Sequence, residues 1–179
     1  MKKSLSLSKQ LAFSALFAAL CLIGTLLVTI PLPMGYFNVG DVFVLLAGWC
    51  LGPVYGGIAA GVGSALADII SGYALYAPFT LIIKGLDAVI AYAAWAFFRK
   101  WLRLDALSRL VSALLGESLM VLGYFLTEVL FYGFYAATGT LVGNLLQGGC
   151  CLALACITLS ILYPIKSTRK LFPCLESKA

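Results

Sequence analysis

The sequence contains no histidine, which excludes histidine-based triads, histidine-ligated metals and imidazole proton shuttles. Charge is almost as scarce. Asp, Glu, Lys and Arg make up 11% of the 179 residues, where a soluble domain carries about 25%. Hydrophobic residues reach 63%, more than a chain of this size can hide from water. A disordered chain, a secreted disulfide scaffold and a nucleic-acid binder are all disfavoured on these grounds. No Gly-x-x-x-x-Gly-Lys-Ser/Thr loop occurs, so the chain is not expected to hydrolyse ATP itself. No Cys-x-x-Cys pair occurs either. Cys21, Cys50, Cys150, Cys151 and Cys156 sit in apolar runs and Cys174 in a polar tail. They read as small packing residues, with no metal site and no cofactor implied. What remains is an all-α integral membrane protein.

A helix crossing the hydrocarbon core needs about 20 mostly apolar residues. Six such segments are expected, at about 11–30, 39–51, 55–71, 78–98, 107–137 and 141–163, followed by a tail at 164–179. Pro31-Leu32-Pro33 ends the first and Gly52-Pro53 ends the short second. Lys2, Lys3 and Lys9 before the first segment raise a cleaved signal peptide as the alternative. The apolar run is longer than a signal's hydrophobic region, so it is read as a helix. Eleven of the twelve Lys and Arg residues then fall on one side: Lys2, Lys3, Lys9, Arg99, Lys100, Arg103, Arg109, Lys166, Arg169, Lys170 and Lys178. The positive-inside rule makes that side cytoplasmic and places both termini there. The opposite loops, around Pro31–Phe37, Gly72–Ala77 and Thr138–Gly139, carry no cation. Trp49, Trp95 and Trp101 are expected as interfacial aromatics at the cytoplasmic ends. The chain thus reads as one membrane domain, a single bundle of six transmembrane helices whose partner is the lipid bilayer.

The twelfth cation, Lys84, falls inside the fourth segment, where a charge is costly and lines a cavity or pairs with a neighbour. Asp87 at i+3 shares its face. The purely structural alternative to a site is an ion-paired bundle, Lys84 with Asp68 or Asp87. The outer half also collects Asp41, Glu128, Asn144 and Gln147, with Tyr36, Phe37, Tyr73, Tyr76, Tyr132 and Tyr135 at the same level. Glu117 lies three turns deeper than Glu128. Apolar walls with a few convergent polar groups are the usual form of a small-molecule site. Four outer acids facing one cation favour a positively charged or donor-rich ligand, such as an aminopyrimidine or pyridine ring. Small residues line the first segment at Ala15 and Ala19 and the third at Gly57 and Gly61, spacings that let helices approach closely in lipid.

Several segments together resemble the substrate-binding (S) components of energy-coupling factor (ECF) vitamin transporters. They are Gly35-Tyr-Phe-Asn-Val-Gly-Asp41, Leu51-Gly-Pro-Val-Tyr-Gly-Gly57, Ser64-Ala-Leu-Ala-Asp68 to Ser71-Gly-Tyr73, Ala77-Pro-Phe-Thr80, Lys84-Gly-Leu-Asp87 and Asn144-Leu-Leu-Gln147. The resemblance implies a component that captures a vitamin on the outer side of the bacterial cell membrane. It would then dock on a transmembrane coupling subunit, and two cytoplasmic ATPases would drive uptake. Ala15 and Ala19 resemble the family's docking motif. Expected substrate-binding residues are Asn38, Asp41, Tyr73, Tyr76, Lys84, Asp87, Glu128, Tyr132, Asn144 and Gln147. The segments are most similar to members assigned pyrimidine-precursor or pyridoxine-type substrates. The alternative reading is a solitary proton-coupled secondary transporter in which Lys84 and the acids relay protons.

Overall fold

Backbone groups in lipid must find hydrogen-bond partners within the chain, which long apolar runs achieve as helices. A computed structural model describes residues 6–31, 36–102 and 104–175. Lys2, Lys3, Pro33, Gly35, Arg103 and Lys178, all used above, lie outside the described residues. Five helices are long and apolar enough to cross a membrane. They are α1 (Leu7–Leu27), α2 (Gly40–Ile70), α3 (Ala77–Phe98), α4 (Asp105–Tyr132) and α5 (Phe134–Leu162). A short α6 (Lys166–Leu171) and a 3-10 turn (Pro173–Leu175) follow. Between α1 and α2 a two-residue strand β1 (Ile30–Pro31) pairs antiparallel with β2 (Tyr36–Phe37), Ile30 opposite Phe37. Large apolar side chains such as Leu16, Ile23, Leu122 and Ile157 are exposed on the outside of the bundle.

The expected segments at 39–51 and 55–71 both lie in α2, which is not a straight rod. Gly52 adopts φ +83° and ψ −177°, a conformation open to glycine, and Pro53 follows. A straight helix of 31 residues would measure about 46 Å. Instead, a methyl group at Gly56 would collide with the Ala47 carbonyl, nine positions back. Asp41 and Asp68, near opposite ends of the element, bond to residues of one cavity. α2 is therefore a hairpin of two arms, 40–51 and 53–70. The first arm is short because it lies within the bundle: from 40 to 52 every residue but Phe43 is buried. The small residues of the second arm pack internally. Methyl groups at Gly61 and Gly63 would strike the carbonyls of Leu81 and Ala18.

Two expectations are corrected. The fifth and sixth segments do not turn at Thr138–Gly139, which is helical. The break falls at Gly133, φ +85°, and the Thr138 hydroxyl satisfies the Tyr135 carbonyl three residues back. Tyr135 consequently belongs to α5, where it is 91% exposed, and not to the preceding helix. Second, Trp49 and Trp95 are fully buried and do not anchor at an interface. Each indole N–H finds an internal acceptor, Ser112 Oγ for Trp49 and Asp105 Oδ1 for Trp95, both at 3.1 Å. Trp101 is exposed. The segment after α5 packs back on the bundle. Phe172 meets Phe13 and Phe17 of α1, and Leu175 is completely buried.

Candidate functional site

One end of the bundle holds a cavity that receives side chains from every long helix. Thr25 comes from α1, Tyr36 from β2, Asn38 from the link to α2, and Ser64 and Asp68 from the second arm of α2. Thr80 and Lys84 of α3, Tyr124 and Glu128 of α4, and Asn144 and Gln147 of α5 complete the wall, with Tyr73 and Tyr76 beside the mouth. The space open to the centres of water-sized molecules is about 50 Å³. One water needs about 10–15 Å³ on that measure, so the cavity is sized for a few waters or a small ring.

The floor is an ion pair. Lys84 Nζ bonds to Asp41 Oδ1, with both side chains almost wholly buried. This corrects the pairing of Lys84 with Asp68 or Asp87 read from the sequence. Although Asp87 shares a helix face with Lys84, the ammonium crosses to the first arm of α2. Asp41 Oδ2 accepts from Gln147 Nε2 at 2.7 Å, and Gln147 Oε1 accepts from the Asn38 backbone N–H at 2.9 Å. Asn38 Oδ1 in turn accepts from the Gly40 N–H at 2.9 Å. A hydrogen-bonded chain thus runs from α3 through α2 to α5 and fixes the Lys84 head group. Burying a charge pair is tolerable only with such partners.

The wall carries a second set of polar contacts. The Tyr36 hydroxyl donates to Asp68 Oδ1 at 2.6 Å. Glu128 accepts from the Thr140 hydroxyl. Thr80 Oγ1 and the Tyr124 hydroxyl lie 3.0 Å apart, and Lys84 Nζ sits 5.2 Å from the centre of the Tyr124 ring. Tyr36 packs on Tyr73 with ring centres 5.0 Å apart, and Tyr73, Tyr76 and Tyr132 continue the aromatic collar. With Lys84 matched by Asp41, the carboxyl groups of Asp68 and Glu128 are left as the excess acidic groups on the wall.

Among the expected residues, Asn38, Tyr73, Tyr76, Lys84, Glu128, Asn144 and Gln147 line the cavity. Asp41 stands behind Lys84 as its partner. Tyr132, at the end of α4 and half exposed, stays outside against Tyr76. Asp87 is fully buried away from the cavity lining, as is Glu117. The residues expected from sequence to bind substrate did not include Thr25, Ser64, Thr80 and Tyr124, which also line the cavity. The last three each lie four residues before a noted acid or cation: Asp68, Lys84 and Glu128. Residues four apart share a helix face, so that spacing was the available signal.

Comparison with known proteins bears on this architecture. The family model described as "ECF-type riboflavin transporter, S component" matches residues 6–164. The chain belongs to this family of ECF transporter S components. It is therefore a multi-pass membrane protein and a component of a vitamin uptake system. The S component is 31% identical to the thiamine precursor transporter HmpT of Lactococcus lactis subsp. cremoris (strain MG1363) over 142 residues, 78% of each chain. It is 41% identical over 125 residues to an uncharacterized protein of Pyrococcus woesei, covering 69% of this chain and 80% of that one. Its fold is similar to a solved structure described as the S component of a bacterial ECF transporter. The TM-score is 0.69 at 18% identity, over 88% of this chain and 96% of the other.

Proposed function

We propose that this S component captures a small one-ring vitamin or vitamin precursor, foremost the pyrimidine precursor of thiamine, in the cavity floored by Lys84. The observation that carries the reading is the charge arrangement. Lys84 is already matched by Asp41, so the acids Asp68 and Glu128 and the amides of Asn144 and Gln147 are what a ligand meets. An amino group and ring nitrogens pair with acids and amides, while Tyr73 and Tyr76 offer faces for stacking. The size of the cavity and the likeness to a thiamine precursor transporter support the same choice.

In this reading the chain crosses the bacterial cell membrane six times, because the two arms of α2 each count as a crossing. Both termini are then cytoplasmic, as the positive-inside rule expects from the positions of the cations other than Lys84 in the sequence. The cavity opens outward. Ala15 and Ala19 are exposed on α1, on the side away from buried Phe17 and Cys21. There they serve as the docking stripe for a coupling subunit whose two ATPase partners supply the energy. Close approach through small residues suits that contact.

The test is titration of the purified protein with the aminopyrimidine precursor of thiamine, pyridoxine and riboflavin. Binding of the aminopyrimidine, weakened at least tenfold by Glu128→Gln or Lys84→Ala, is the expected result. Binding of riboflavin alone overturns the one-ring reading. Ala15→Trp or Ala19→Trp should abolish uptake in cells and leave binding intact; loss of both together overturns the docking role.

A further inference from the structure

Behind the ion pair lie two acids that the binding reading does not use. Asp87 is 0% and Glu117 3% exposed, and none of their four carboxyl oxygens has a hydrogen-bond partner. Room has been made for both. A methyl at Gly116 would collide with Asp87 Oδ1, and one at Gly148 would sit 3.3 Å from Glu117 Oε2. The helices facing these carboxyls therefore carry hydrogen where a side chain would fill the space. Lys84 lies within electrostatic reach of both. The other titratable groups facing this region are Cys21 of α1, Asp41 of α2, Tyr124 of α4 and Cys151 of α5. None of these supplies a second cation. Two ionised carboxylates without hydrogen bonds in a membrane interior would be prohibitively costly. Among the described residues no three ligating side chains gather to hold a metal ion, so the proton is the cation that fits.

We infer that Asp87 and Glu117 form a proton-binding site behind the cavity floor, holding neutral carboxylic acids while Lys84 is paired with Asp41. The site gives Lys84 a second place to go. If Asp41 takes up a proton and so no longer neutralises the ammonium, one acid O–H breaks and its proton leaves to water. The carboxylate so formed then takes the intact ammonium as partner. The buried total charge is the same before and after, so the cation on the cavity floor can change partner without stranding a charge in the membrane.

Infrared spectroscopy of the purified, ligand-free protein at neutral pH tests this in H2O and D2O. Wild type should show the carbonyl band of protonated carboxylic acids. Asp87→Asn and Glu117→Gln should each remove a share of that band, and Asp68→Asn and Glu128→Gln should leave that share in place. Asp41→Asn should reduce the band by about one acid, as Lys84 turns to Asp87 or Glu117, whereas Lys84→Met should not reduce it. Selective carbon-13 labelling of aspartate carboxyls in wild type separates the aspartate share of the band from the glutamate share without relying on a variant to fold. Absence of the band from wild type, or its survival in the Asp87→Asn and Glu117→Gln variants, overturns the site. A wild-type band in Asp41→Asn overturns the change of partner.

Discussion

Tyr36 and Asp68, thirty-two positions apart, close one side of the cavity mouth: the phenol donates to the carboxyl at 2.6 Å and ties the strand pair to the second arm of α2. Tyr36→Phe retains the ring packing on Tyr73 and removes only this bond. Hydrogen bonds to charged groups contribute about 1.5–3 kcal/mol, so bound vitamin should dissociate about tenfold faster or more. Stopped-flow release from wild type and variant measures it. An unchanged rate would show that the bond does not hold the mouth shut.

The same contact sets a pH dependence. Burial, followed by the neighbouring Asp68 charge, raises the Tyr36 pKa above its ordinary value of 10.0. A group with a raised pKa stabilises the fold fully below its unfolded value and loses that contribution as pH climbs toward the folded one. The Tyr36 contribution should therefore be constant from neutral pH up to about 10 and decline only above it. Difference absorbance of wild type against Tyr36→Phe should show no phenolate from this residue below that point.

Removing Lys84 alone strands Asp41 in the interior. Breaking one side of a buried pair costs about 3–5 kcal/mol, so Lys84→Met should lose about that much stability. Adding Asp41→Asn should recover at least half of it, since the amide still accepts from Gln147. Denaturation of the single and double variants in detergent gives the comparison. Equal losses in both would mean that Lys84 acts through packing and not charge.

Two glycines should respond in opposite directions. Gly52 sits at φ +83° in the α2 turn, and alanine there should cost about 1–3 kcal/mol. Gly139 lies inside α5, where an added methyl would meet nothing within 4 Å, and alanine there should be neutral or stabilise by about 0.5–1 kcal/mol. Thermal unfolding of both variants decides the matter; a stable Gly52→Ala protein would remove the turn's claim on glycine.

Much of the bundle is legible in the apolar runs because lipid forces every span to be long and helical. The errors have local causes. Thr138-Gly139 looks like a turn by residue type, but threonine hydroxyls can bond back to carbonyls within a helix. The turn fell instead at Gly133, whose positive φ leaves no mark in hydropathy. Tryptophan near a helix end reads as an interfacial anchor, yet Trp49 and Trp95 found internal acceptors on the following helix α4, which hydropathy does not reveal. The depth of Lys84 was readable from its distance to the helix end. Its partner was not, because helix spacing points to Asp87 and only the α2 hairpin brings Asp41 across.

The α2 hairpin also bears on how the chain is made. Its first arm is 12 residues long by the numbering 40–51, about 18 Å at the helical rise, against a hydrocarbon core of about 30 Å. During synthesis this arm cannot settle alone across the bilayer, nor can it wait outside with its apolar surface in water. The bend at Gly52 is too tight to park a loop beyond the membrane. Residues 40–70 must therefore enter the bilayer together, and Asp41 and Asp68 reach the same face in a single insertion event.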